Sequence, residues 1–160
     1  MIDSNLNPDS HAHWMQMALR EAEHAFAAGE VPVGAVIVQN EHIIGRGHNQ
    51  RESLKDPTAH AEILAITAAA NHLEDWRLTD CTLYVTLEPC PMCAGAILNA
   101  RIPRLVFGAD DPEFGACGGQ IQLCTGKFLN HRVEVMGGIR EQESRALLAD
   151  FFRRSRKKQV

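Results

Sequence analysis

Cys90 and Cys93 lie in the stretch TLYVTLEPCPMCAGAI, where a β-branched run ends and a proline-opened helix begins. No other feature constrains the chain as much. Three residues apart on a helix, two side chains share a face and can grip one ion. Pro89 and Pro91 fit a helix start, where a missing N–H costs little. A helix N-terminus also lowers a thiol pKa, favouring the thiolate that metals bind.

A matching half stands earlier, in DPTAHAEI. In the body of a helix His60 and Glu62 would point about 200° apart. Side chains lean toward the helix N-terminus, so in a first turn opposite faces converge beyond the tip. Asp56-Pro57-Thr58 predicts a helix start that puts both residues in that turn. His60, Cys90 and Cys93 then supply three ligands and leave a fourth tetrahedral position for water, the catalytic rather than the structural form of zinc. Zinc lowers the pKa of such a water from about 15.7 to about 7. Glu62, not a ligand, is predicted to carry the water's proton to a ring nitrogen of the substrate and then to the departing amine. The expected chemistry is hydrolytic deamination of an amino-bearing ring.

Each half has a plainer reading. Cys-x-x-Cys alone also suits a redox dithiol, but that leaves His60 and Glu62 without a purpose. A four-cysteine zinc knot with Cys117 and Cys124 needs a pair separated by six residues, outside the usual two to four. Cys81, Cys117 and Cys124 are therefore read as unliganded. Five cysteines cannot all pair, and the polar start MIDSNLNPDSHAH has neither a basic opening nor an apolar run. No apolar stretch approaches the ~18 residues a membrane span needs. These features predict a cytoplasmic protein with no membrane partner.

At 160 residues the chain fits a single domain, with residues 1–12 expected as a flexible N-terminus and 153–160 as a basic tail. Helical spacing runs from His13 to Ala28, with Gly29 as a stop. VPVGAVIVQ and HIIGRGH read as strands joined at Asn40-Glu41, a hairpin. AHAEILAITAAANHL reads as a helix, TLYVTLE as a strand, PCPMCAGAILNA as a helix and RLVFGA as a strand. The glycine-rich segment from Asp110 to Asn130 is expected to hold a loop or short helix. HRVEVM reads as a last strand, and a final helix from about Ile139 carries the ridge Leu147, Leu148, Phe151 and Phe152. Such alternation favours an α/β fold, a mixed sheet between helices. Five of the chain's 16 Lys and Arg residues fall in Arg153–Lys158, with no acid among them. Taken alone, that run reads first as a solvated helix end and second as a phosphate contact.

The segments EVPVGAVIV, GHNQ, DPTAHAEI, TLYVTLEPCPMCAGAI, RLVFGADD, NHRVEV and LLADFFR together resemble the bacterial tRNA-specific adenosine deaminases, over about Trp14 to Arg154. The resemblance implies a three-layer α/β/α, cytidine-deaminase-like fold with a five-stranded mixed sheet, acting as a homodimer. It implies one Zn2+ per subunit on His60, Cys90 and Cys93, with Glu62 shuttling protons while zinc-bound hydroxide attacks C6. The substrate it implies is the wobble adenosine in a tRNA anticodon stem-loop, that of an arginine tRNA, converted to inosine. Asn49 matches a residue that hydrogen-bonds the flipped base, Val33 one that lines the base pocket, and the Ala61 N–H one that contacts the base. Asp111 and Phe152 match positions touching RNA around the target. Without the resemblance Asn49 suits a turn cap, Val33 an ordinary strand, Asp111 a loop acid and Phe152 core packing.

The sequence departs from the family at Asp110, where a basic residue is usual, and in PEFGACGGQ, which stands for a KTGAAGS-like run. Both changes make the loop more acidic. Two further functions compete: a guanine or other free-base or nucleoside deaminase with the same zinc chemistry, and a zinc-stabilised RNA-binding module without catalysis. Glu62 argues against the module, and the basic C-terminus favours RNA over a free base.

Overall fold

The computed structural model describes residues 8–126 and 130–159. Its first helix, α1 (Pro8–Ala27), begins five residues before the expected start. Residues 8–12 are therefore helical rather than a flexible terminus, because His11 is buried and its Nδ1 lies 2.9 Å from the Tyr84 hydroxyl. Residues 1–7 lie outside the described residues. Gly29, at φ +77°, ends the helix as expected.

The hairpin follows as β1 (Gly34–Gln39) and β2 (His42–His48). Asn40 and Glu41 both take positive φ, as a two-residue turn with the right twist requires. A four-residue helix that the sequence reading lacked, α2 (Arg51–Leu54), comes next. Its N-terminus is met by Glu30, whose carboxylate accepts from the Glu52 N–H at 2.9 Å and the Ser53 N–H at 3.2 Å. Then come α3 (Ala61–Leu73), β3 (Thr82–Leu87), α4 (Pro91–Asn99), β4 (Arg104–Ala109), β5 (Glu134–Met136) and α5 (Glu141–Lys157). The basic residues Arg153–Lys157 are thus the last turns of α5, not a separate tail.

The five strands form one mixed sheet in the order β2-β1-β3-β4-β5, antiparallel up to β3 and parallel beyond it. Strand residues alternate between two cores. Ile37, Leu83, Val85, Leu105 and Phe107 face α3 and α4, while Val36, Tyr84 and Val106 face Met15, Ala18 and Leu19 of α1. Helix α5 docks on the α1 side, where its buried Ser144 donates to the Thr86 carbonyl at 2.5 Å. This is the mixed sheet between helices that the alternation of elements predicted, in the three-layer α/β/α, cytidine-deaminase-like form that the resemblance implied. Among the described residues no helix is long and apolar enough to cross a membrane.

Gly47 sets the seat of α3. A Cβ there would stand 2.2 Å from the Ala61 carbonyl oxygen, so only glycine lets the helix tip press onto β2. The ends of β3 and β4 and the tips of α3 and α4 consequently open onto one side of the sheet. Ligands of α/β folds gather at such strand ends.

Candidate active site

Both motif halves use the same local device, and it differs from the one expected. His60 is the N-cap of α3, with extended backbone (φ −75°, ψ 155°), and Cys90 is the N-cap of α4 (φ −73°, ψ 172°). Neither is inside its helix, so angular spacing around a helix does not govern their direction. An N-cap residue swings its side chain across the helix tip, toward the one following it in the first turn. That is how His60 comes to serve the same space as Glu62, and Cys90 the same space as Cys93. Asp56-Pro57-Thr58 forms a separate turn, in which Asp56 Oδ1 accepts from the Thr58 N–H at 2.8 Å.

His60 Nδ1 lies 3.6 Å from Cys90 Sγ and 3.4 Å from Cys93 Sγ. Their donor atoms all fall within 4.8 Å of one another. With zinc bonds of about 2.3 Å to sulfur and 2.0–2.1 Å to nitrogen, a tetrahedron has an S–N edge of about 3.6 Å. The donor set and its spacing therefore fit a zinc ion. Glu62, just behind, is buried at 4% exposure.

Electrostatics follow from burial and from the proximity of the sulfurs. A hydrogen bond from Cys93, with a further one from His60, brings the Cys90 thiol down to about 4 against the effect of burial. The same pairing with Cys90, then burial and the Glu62 charge, drives Cys93 far up. A cation bound here would favour thiolate on both sulfurs. His60 is raised chiefly by its hydrogen bond to Cys90, against burial. Burial also raises Glu62, so its carboxyl holds a proton more readily than an exposed glutamate.

His60, Glu62 and Cys90 line the floor of a cavity of about 630 Å³. Its walls include all five residues matched to substrate contact: Val33, Asn49, Ala61, Asp111 and Phe152. Asn49 is buried and already employed: its Oδ1 accepts from the Arg51 N–H at 3.2 Å and its Nδ2 donates to the Val31 carbonyl at 3.3 Å. An amide has further donor and acceptor capacity to turn toward a ligand. As the first helical residue, Ala61 has an N–H with no intrahelical acceptor. Asp111 Oδ1 caps its own turn, accepting from the N–H groups of Glu113 at 3.0 Å and Phe114 at 3.1 Å. Phe152 is half-exposed at the cavity, whereas its neighbour Phe151 packs edge-on against Phe26 with centroids 5.9 Å apart.

Sequence reasoning missed Glu88. It is buried, and its carboxylate accepts from the N–H groups of Asp111 (3.1 Å), Cys117 (3.1 Å) and Gly119 (2.8 Å). It thus ties the far rim of the cavity to the residue pair just before Cys90. The only signal was an acid directly beside the Pro-Cys motif. Arg51, Phe114, Arg145 and Leu148 of the rim were also missed, because loop and helix must fold together before they share a wall. The segment from Asp110 holds turns and an isolated Cys117–Gln122 bridge rather than a helix, with residues 127–129 outside the described ones. Cys117 and Cys124 are buried with their sulfurs 2.7 Å apart, separate from the His60 group. Cys81 is buried too, which pushes its thiol up to about 11.

A three-layer sheet fold with His-x-Glu and Cys-x-x-Cys at two facing helix tips defines a nucleobase-type deaminase. The MafB19-like deaminase family model matches residues 9–156. The tRNA-specific adenosine deaminase of Bacillus subtilis is 49% identical over 91% of this chain and 90% of its own length. The chain belongs to the tRNA-specific adenosine deaminase family. A solved structure from work on A-to-I editing by tRNA:A34 deaminases at the wobble position matches with a TM-score of 0.82 at 45% identity, over 85% of this chain and 99% of that one. The guanine deaminase of Bacillus subtilis matches less fully, with a TM-score of 0.60 at 42% identity over 62% and 64% of the two chains.

Proposed function

We propose that the protein deaminates the wobble adenosine of a tRNA, an arginine tRNA among the candidates, to inosine, with zinc held by His60, Cys90 and Cys93. Support comes foremost from the convergence of those three donors beside a buried Glu62 in a cavity large enough for a purine. Zinc supplies there the Lewis acidity that makes hydroxide available at neutral pH. The chain's own groups do the rest. Glu62 accepts the proton of the attacking water and passes it to N1 of adenine as C6 gains the oxygen. Glu62 then takes the proton of the new C6 hydroxyl and gives it to the amino group, and as C6 becomes a carbonyl the C6–N bond breaks and ammonia leaves. Burial suits Glu62 to this cycle, since a carboxyl whose pKa is raised holds a proton more readily than an exposed one and can return it.

Binding falls to the walls. Asn49 and the Ala61 N–H are placed to read the base edge, and Val33 excludes water beside it. Phe152 offers a face on which a neighbouring base can stack, worth about 1–3 kcal/mol. A homodimer in the cytoplasm, as in the family resemblance, completes the proposal. The guanine deaminase likeness keeps a free-base substrate as the second reading. A parallel assay decides between them: an anticodon stem-loop with adenosine at the wobble position against free guanine, cytosine and adenosine. Turnover of the stem-loop alone is expected. Turnover of guanine without the stem-loop would overturn the RNA substrate while leaving the zinc chemistry intact.

A further inference from the structure

A second group of ligand-type side chains lies away from the cavity, where α1 crosses the end of the hairpin. Gly34 brings the two elements into backbone contact: a Cβ there would stand 2.1 Å from the Ala18 carbonyl oxygen and 2.8 Å from the Glu21 carbonyl carbon. Gly34 pairs across the ladder with His48. The close approach therefore sets the Glu21 side chain against the His48 ring. His24, three residues along α1, shares the face of Glu21.

The result is convergent. Glu21 Oε2 lies 3.3 Å from His48 Nδ1 and 3.6 Å from His24 Nδ1, and the three donor atoms all fall within 4.8 Å of one another. For metal bonds of about 2.0–2.2 Å to nitrogen and oxygen, tetrahedral edges are about 3.3–3.5 Å. Two imidazoles thus present the same ring nitrogen to one carboxylate oxygen at the separation that a shared ion requires. The other oxygen, Oε1, faces Arg46 Nη1 at 3.8 Å, an outer partner of the kind that orients a ligating carboxylate. None of the three lines the catalytic cavity.

We propose that Glu21, His24 and His48 form a second metal site, for a divalent transition ion of the zinc class. Imidazole and carboxylate donors suit zinc, nickel and copper, and three protein ligands leave a position for water at the exposed His24 side. The ion clamps α1 to the end of β2, directly before Asn49 on the cavity wall. It therefore stabilises the fold by mass action. The site stands whatever substrate the cavity takes.

Untagged enzyme, purified with its tightly held metal, is titrated with Zn2+ and separately with Cu2+. Metal analysis after gel filtration, calorimetry and the Cu2+ electron paramagnetic resonance spectrum are read. Wild type is expected to bind one more ion per chain than His24→Ala, with nitrogen hyperfine structure from two imidazoles and a higher Tm in the presence of metal. His24 is largely exposed, so that variant folds, and its deaminase rate should match wild type. Glu21→Gln is expected to lose the same ion. Equal metal content in wild type and His24→Ala would overturn the site, leaving the three residues a hydrogen-bonded cluster only. So would an extra ion that survives both substitutions.

Discussion

Two regions face each other across the cavity: the helix tips with His60, Glu62, Cys90 and Cys93, and the rim made by the loop after β4 together with α5. The tips are two short stretches, each an extended N-cap residue followed by a first helical turn, with Pro91 opening α4 and Gly47 letting α3 press onto β2. The described residues of the rim loop before β5 hold turns and one isolated bridge, and three of their N–H groups rest on one buried carboxylate, that of Glu88. The rim's apolar ridge stays half-buried, with only Ser144 of α5 fully inside. Chemistry tolerates little displacement of its atoms, while recognition can be rebuilt on a loop. The family departures, Asp110 and PEFGACGGQ, fall on the rim and none on the tips.

The largest expected effect separates the regions. Glu62→Gln should lower the single-turnover rate by roughly 10²–10⁴, the usual contribution of a positioned acid-base group, with metal content unchanged. If turnover persists, the tips do not hold the chemistry. Glu88→Ala tests whether the regions are independent. Of the three donors only the Cys117 N–H is buried, and leaving it without an acceptor costs about 1–3 kcal/mol, so denaturant unfolding should show a loss of that order. Amide exchange should rise at residues 111–119 before it rises at 60–62; uniform exchange would mean that tips and rim are one unit.

A smaller effect is expected from Phe152→Ala, which should reduce kcat/KM for an anticodon stem-loop by an amount matching about 1–3 kcal/mol and leave metal content alone. An unchanged kcat/KM would restrict the rim to shaping the cavity. The least effect belongs to the opposite core. Burial, then the charge of Arg104, lowers the pKa of His11 below 6.5. The unfolded chain then takes up that proton first as the medium is acidified. His11's contribution is therefore fully present above about pH 6.5 and is lost as pH falls toward the lowered folded value. Thermal melts across pH 7 to 5 should show this, with a flatter profile for His11→Asn. An equal slope in the variant would assign the loss to other groups.

The strands and helices were legible because their signals are short-range. The Asn40-Glu41 turn, the β-branched runs and Gly29 behave in the structure as their chemistry requires. Element ends were less so. The α1 start depended on a contact between His11 and Tyr84, 73 residues apart, and α2 on the carboxylate of Glu30, 20 or more residues upstream of its own backbone.

Residue types and spacing alone determined which side chains a metal-assisted deamination needs and that they stand at helix starts. Tertiary structure decided that His60 of one helix tip meets Cys90 and Cys93 of the other, that Glu88 holds the rim, and that Glu21 meets His48. Each of these is a meeting of groups from separate elements. Their separation in space depends on how closely two backbones approach, which no local preference encodes.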